Sequence, residues 1–124
     1  MKKHLDILSK KYSALMESDL ISFADIAAKK NVMGVYIVYS AENEIIYIGS
    51  TNKFHVRFGT DLKHETTHTL TRKLLKHEVF PDRKTAVEYL KNKCRFRVEQ
   101  CETKREAEAV EHFAIWVLNP KYNK

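Results

Sequence analysis

Glycine is scarce in this chain, with three in 124 residues. The sequence has no glycine-rich loop of the kind that cradles phosphates, and no nucleophile elbow. Cysteine is scarcer still. Cys94 and Cys101 are too few and too far apart for a zinc site of their own, and they read as reduced thiols. No apolar run approaches the roughly 18 residues of a membrane span. Behind the lysines of Met1-Lys2-Lys3-His4-Leu5-Asp6 no apolar segment follows that could direct export, so a cytoplasmic location is expected. Internal repeats and low-complexity linkers are also missing.

What is present suits one domain with one core. A chain this long removes about two thirds of its extended surface from water on folding, which is enough for stability without staples. Hydrophobic residues make up 44% and charged residues 31%, and the formal charge is +6 with a pI near 9.3. That surplus favours polyanionic partners and salt-sensitive encounter with nucleic acid.

The central stretch is Gly34-Val35-Tyr36-Ile37-Val38-Tyr39, a polar interruption, and Ile45-Ile46-Tyr47-Ile48-Gly49. Two runs of β-branched and aromatic residues around a short polar loop predict a β-hairpin. Alternation places Val35, Ile37 and Tyr39 on one face, with Tyr36 and Val38 on the other. Ahead of it, Leu5, Leu8, Tyr12 and Leu15 predict an amphipathic helix over residues 1–16. A shorter helix is expected from Phe23 to about Lys30, with Ser22 as N-cap and Asp25 completing an imperfect capping box. Packing against the core is the leading role for residues 1–32; a homodimer contact or a protein partner, through residues 1–30, is the alternative.

After the hairpin, Ser50-Thr51-Asn52 reads as a polar turn, and a helix begins near Lys53 or Phe54. Arg57, Asp61 and His64 fall on one face of it. Thr67 to His77 carries Leu70, Leu74 and Leu75 inward with Arg72, Lys73 and Lys76 outward. His64 and His68, four apart, have a metal-pair spacing, yet no third ligand is evident. Thr85 to Asn92 predicts a helix, and Cys94 to Glu99 alternates as a half-buried strand beside the hairpin, with Arg95 and Arg97 outward. Thr103 and Glu106 form a capping box for a last helix that runs through Ala107, Val110, Ala114, Ile115 and Val117 to about Leu118. Pro120 then stops the helix and turns the chain back.

Gly34-Val35-Tyr36 and Tyr47-Ile48-Gly49, about ten residues apart, resemble the paired motifs of the GIY-YIG nuclease family, with Val35 in place of isoleucine. Arg57 lies eight residues after Gly49, as the family arginine does. Glu111 and the tail Asn119-Pro120-Lys121-Tyr122-Asn123 resemble the family glutamate and closing asparagine. The resemblance covers roughly residues 33 to 123. It implies an α/β (α+β) fold in which a three-stranded antiparallel sheet is flanked by helices. Residues 1–32 would then form a helical extension and 33–124 the nuclease domain.

The resemblance also implies chemistry. One magnesium or manganese ion would be held at Glu111, because magnesium accepts one carboxylate and keeps most of its waters. Arg57 would bind phosphate through its fork, and Tyr36 would be the general base, which requires nearby positive charge or metal-linked help to lower its pKa. Tyr47 would support it, and Asn123 would orient the site. His64 is the candidate for the auxiliary position that family members fill with histidine or tyrosine one turn after the arginine, where this chain has Asp61. The expected activity is cleavage or nicking of DNA, with RNA left open, and Lys53, Lys63, Arg72, Lys73, Arg95 and Arg97 are candidate nucleic-acid contacts. The alternative is a non-catalytic nucleic-acid-binding module that keeps the fold.

Overall fold

A computed structural model describes residues 2–59, 69–77 and 79–123. The expected hairpin is its centre: β1 (Gly34–Tyr39) pairs antiparallel with β2 (Ile45–Thr51). Ser40 ties the loop, since its amide donates to the Glu44 carbonyl at 2.8 Å and its hydroxyl accepts from the amides of Glu42 and Glu44. Asn43 takes the left-handed conformation there (φ 66°), which asparagine tolerates better than most side chains. The register shifts between Val38 and Tyr39, and this bulge lets the sequence neighbours Ile46 and Tyr47 enter the same apolar cluster.

β3 (Arg95–Gln100) joins the opposite side of β1, also antiparallel, so the strand order is β2-β1-β3. Helices cover both faces of the sheet. On one, α1 (Lys2–Glu17) and α6 (Lys104–Leu118) bring Leu15, Ala107, Val110 and Ala114 onto Val35, Ile37 and Tyr39. On the other lie α2 (Phe23–Ala27), α3 (Phe54–Arg57), α4 (Thr69–Lys76) and α5 (Arg83–Asn92), packed on Tyr36, Val38 and Phe96. A central strand covered on both sides needs apolar residues at every position. All six residues of β1 are buried, which accounts for its unbroken apolar run.

Side chains punctuate the helices much as expected. Ser22 and Asp25 complete both halves of a capping box on α2, though that helix stops at Ala27. Thr103 caps α6 by accepting from the Glu106 amide at 3.0 Å, while the Glu106 carboxylate accepts from the Glu102 amide at 3.4 Å, one residue before the cap. Asn119 ends α6 in the left-handed conformation and returns its amide to the Ile115 carbonyl at 2.8 Å.

The two outer edges of the sheet are both covered. Ile21 exchanges backbone hydrogen bonds with Phe96 on β3 (2.8 and 2.9 Å). The tail covers β2, where the Tyr122 amide donates to the Ile46 carbonyl at 2.8 Å. These contacts engage part of each edge and so shorten the backbone row open to template association. Residues 2–32 therefore wrap the β3 edge and serve both cores. Tyr12 meets Phe113 edge-to-face at 5.1 Å, and the Lys11 ammonium reaches the Glu99 carboxylate at 3.2 Å and the Gln100 carbonyl at 2.8 Å. On the opposite face Phe23 meets Phe58 and Phe96. Among the described residues, no helix is long and apolar enough to cross a membrane.

Three sequence expectations need correction. Leu5 is 58% exposed and Val117 46% exposed, because the contact between α1 and α6 does not extend over either side chain. Ser50 and Thr51 belong to β2 rather than to a turn. The Arg97 guanidinium is used inside the fold, donating to the Ser18 carbonyl and, at 3.0 Å, to the Tyr39 hydroxyl, with its charge 5.4 Å from the Tyr39 ring centre.

Gly34 lies against β3 so closely that a Cβ would strike the Glu99 carbonyl and come within 3.0 Å of the Gln100 Cα. Backbone cannot swing aside as a side-chain tip can. Gly34→Ala is expected to lower stability by about 1–3 kcal/mol, read as a reduced urea midpoint. A second prediction concerns pH. Burial pushes the Cys94 thiol up to about 12 and the Cys101 thiol up to about 11. Unfolded thiols ionise from about pH 8.5. Raised folded values mean that this stability is intact below that pH and is lost as pH climbs through 11 to 12. Urea midpoints across pH 8 to 11 should fall in the wild type, and less steeply in the double variant Cys94→Ala with Cys101→Ala.

Candidate active site

Alternation along β1 and β2 brings Tyr36 and Tyr47 to the same sheet face, with ring centres 6.3 Å apart. Between them in register lies Gly49, the cross-strand partner of Tyr36. The Tyr36 ring lies over this glycine: a Cβ on Gly49 would stand 2.6 Å from the Tyr36 Cζ and closer still to its hydroxyl. Gly49 is thus the gap through which Tyr36 extends toward the β2 edge. Phe54 and Phe58, on and just after α3, hold the ring edge-on at 6.1 and 5.0 Å.

Arg57, the last residue of α3, enters this cluster. It donates through Nη2 to the Thr69 hydroxyl at 3.1 Å and also hydrogen-bonds both tyrosine hydroxyls. Thr69, the first residue of α4, hydrogen-bonds Tyr47 as well. The result is a network of two phenols, one guanidinium and one hydroxyl, contributed by four elements.

Burial and charge act in opposite directions in this network. Burial drives the Tyr36 phenol well above its usual range; Tyr47 pushes the same way, Arg57 pulls it back by charge and hydrogen bond without prevailing, and Glu111 adds to the rise. Burial likewise raises Tyr47 against the opposing pull of Arg57 and Thr69. The pull of Arg57 thus opposes, without cancelling, the upward push of burial on the Tyr36 phenol.

Glu111 approaches from the opposite sheet face on α6. Its Oε1 accepts a 2.5 Å hydrogen bond from the Ser50 hydroxyl, and its charge reaches both tyrosines. Asn123 holds the strand between them. Its Nδ2 donates to the Ile48 carbonyl and its Oδ1 accepts from the Ile48 amide, each at 2.8 Å. Both polar ends of its amide thus engage backbone, so Asn123 acts as one further rung of sheet on the β2 edge. Among the described residues, no three histidines, cysteines or acidic side chains gather as a metal-holding group. The donor set at Glu111 is nonetheless oxygen, a carboxylate beside the Ser50 hydroxyl, and such donors match a hard divalent cation that retains its waters.

The structure brings Tyr36, Tyr47, Arg57, Glu111 and Asn123 to one end of β2. Lys53 is exposed at the start of α3, and Arg72 is exposed on α4 with Lys73 half-buried beside it. Arg95 is exposed, but it shares a β3 face with Arg97, opposite to Tyr36, so neither arginine joins the cluster. Asp61, Lys63, His64 and His68 lie outside the described residues. Sequence reading missed two residues, Ser50 and Thr69. A signal existed for Ser50: the residue after Gly49 in a continuing strand faces α6, which carries Glu111. Thr69 had none, because its contact with Arg57 depends on how α4 folds back.

A family-level comparison matches residues 32–123 to the GIY-YIG catalytic domain. Among solved structures, the chain is similar to the GIY-YIG N-terminal endonuclease domain of UvrC from Thermotoga maritima bound to its catalytic divalent cation, magnesium. The two share 22% identity over 82% of this chain and 93% of that one, with a TM-score of 0.55. A tyrosine-to-phenylalanine variant of the same domain, also bound to the catalytic divalent cation, gives 21% identity over 82% and 92%, with a TM-score of 0.53. No curated protein matches the chain.

Asn123→Ala would strip two hydrogen bonds from Ile48 and leave its amide and carbonyl without these partners on a half-buried edge. The expected loss is about 2–3 kcal/mol, read as a lower urea midpoint with unchanged slope. A residue that served only to touch substrate would leave that midpoint where it is.

Proposed function

This chain belongs to the GIY-YIG family, and from that membership we propose that it is a metal-dependent endonuclease that hydrolyses phosphodiester bonds in DNA. The observation that carries this reading is the convergence of Tyr36, Tyr47 and Arg57 in one hydrogen-bonded cluster, with Glu111 close enough to act electrostatically on both phenols. Residues from β1, β2, α3 and α6 meet there, and packing alone does not require a guanidinium among buried phenols.

Each group has a chemical task. Arg57 carries a permanent charge whose fork matches phosphate oxygens, and it stabilises the negative charge that builds as the phosphodiester is attacked. Tyr36 and Tyr47 bind and orient the attacking water or a phosphate oxygen through their hydroxyls. Glu111 would hold one magnesium or manganese ion, a choice supported by the magnesium of the Thermotoga domain. When bound there, such a cation would supply positive charge to the transition state and leaving oxygen and would acidify neighbouring water. Asn123 keeps β2 in place, and with it Tyr47 and Gly49. Lys53, Arg72, Lys73 and Arg95 are proposed phosphate contacts, aided by the overall charge of +6.

Plasmid nicking against magnesium and manganese concentration tests the reading. The wild type should cut only with metal. Glu111→Ala should abolish cutting, and Arg57→Ala should slow it at least about a hundredfold, while both variants still bind DNA. A wild type that binds DNA yet never cuts would make the chain a binding module that retains the fold.

A further inference from the structure

We infer that Ser50 is a positioning residue for the Glu111 carboxylate, one that presets it to receive a divalent cation. The inference rests on the nuclease reading above and extends it to a residue outside the set that the family resemblance implied. Three observations carry it. First, the Ser50 hydroxyl stands 2.5 Å from Glu111 Oε1. An ionised carboxylate can only accept, so the serine proton lies between them, in the short range of charge-assisted bonds.

Second, the direction of Ser50 follows from the sheet rather than from a flexible loop. It pairs with Val35 across β1 and shares that residue's face, where the α6 cluster lies. Tyr47 and Gly49 face the other way. One strand thus delivers phenol to one side and hydroxyl to the other, within four residues. Third, Glu111 flanks the buried stripe of Ala107, Val110 and Ala114, so its backbone is held while its three side-chain torsions are not. The hydroxyl removes that freedom by engaging one oxygen and leaves the other for a cation. Partners of this kind hold the ligating carboxylate in place and tune how tightly it takes the metal.

The test compares Ser50→Ala with wild type, and Ser50→Thr with Ser50→Val, the second pair differing in the hydroxyl at nearly constant shape. Each folded protein is titrated with manganese chloride alone by calorimetry, and its plasmid nicking is followed against manganese concentration. Urea denaturation reports folding, and if Ser50→Ala does not fold, the threonine and valine variants decide. Loss of the hydroxyl should weaken manganese binding about 10- to 100-fold and raise the half-maximal metal concentration equally. The cutting rate should recover at saturating metal, and threonine should behave as serine does. Unchanged binding and an unchanged metal requirement in Ser50→Ala, beside a wild type that cuts, would overturn this inference and leave the nuclease reading standing. Cutting lost even at saturating manganese, with binding intact, would also overturn it, because the hydroxyl would then belong to the reaction itself. A wild type that neither binds manganese nor cuts would remove both.

Discussion

The passage of Tyr36 over Gly49 is the constraint on which the site depends. A phenol rooted on the central strand must cross its neighbour to reach the sheet edge, and only the missing side chain of Gly49 lets it do so. Phe54 and Phe58 close over the ring from α3 and the turn after it, which brings Arg57 to the hydroxyl. The site geometry is therefore an outcome of core packing. The same aromatic residues that exclude water also fix where the guanidinium can be.

This arrangement has an electrostatic consequence. Taking a phenol out of water penalises its charged form, and one guanidinium does not compensate. The cluster rests as neutral tyrosines around a permanent cation, with the Glu111 carboxylate on the far side of β2.

Two segments outside the hairpin make the sheet a closed unit. The amino-terminal helices wrap the β3 edge and contribute Leu15 to one core and Phe23 to the other. The tail covers the β2 edge, using the Asn123 side chain as surrogate backbone. The outermost strand of a small sheet would otherwise be its softest part, and here it carries Tyr47, Gly49 and Ser50. Covering that edge stabilises the fold and holds the site residues in register.

By itself, the sequence determined the hairpin, the faces of its residues and the caps of α2 and α6, each of which rests on local periodicity or spacing that short-range sterics and hydrogen bonding enforce. The grouping of Tyr36, Tyr47, Arg57, Glu111 and Asn123 was legible only through the resemblance of its motifs to a known family. Only the tertiary structure decided the rest. Arg97 alternates outward like a phosphate contact, yet it turns to the Ser18 carbonyl and the Tyr39 ring, because α1 ends above it. The Asn123 side chain, placed by the turn after α6, pairs with the Ile48 backbone as a rung of sheet. The Tyr36 hydroxyl is enclosed by the core, and burial raises its pKa against the pull of Arg57. Ser50 and Thr69 drew no attention, since a lone hydroxyl acquires its meaning from a partner 61 or 12 residues away. Pattern along the chain specifies which way a side chain points; what it meets there depends on contacts between segments that sequence spacing does not encode.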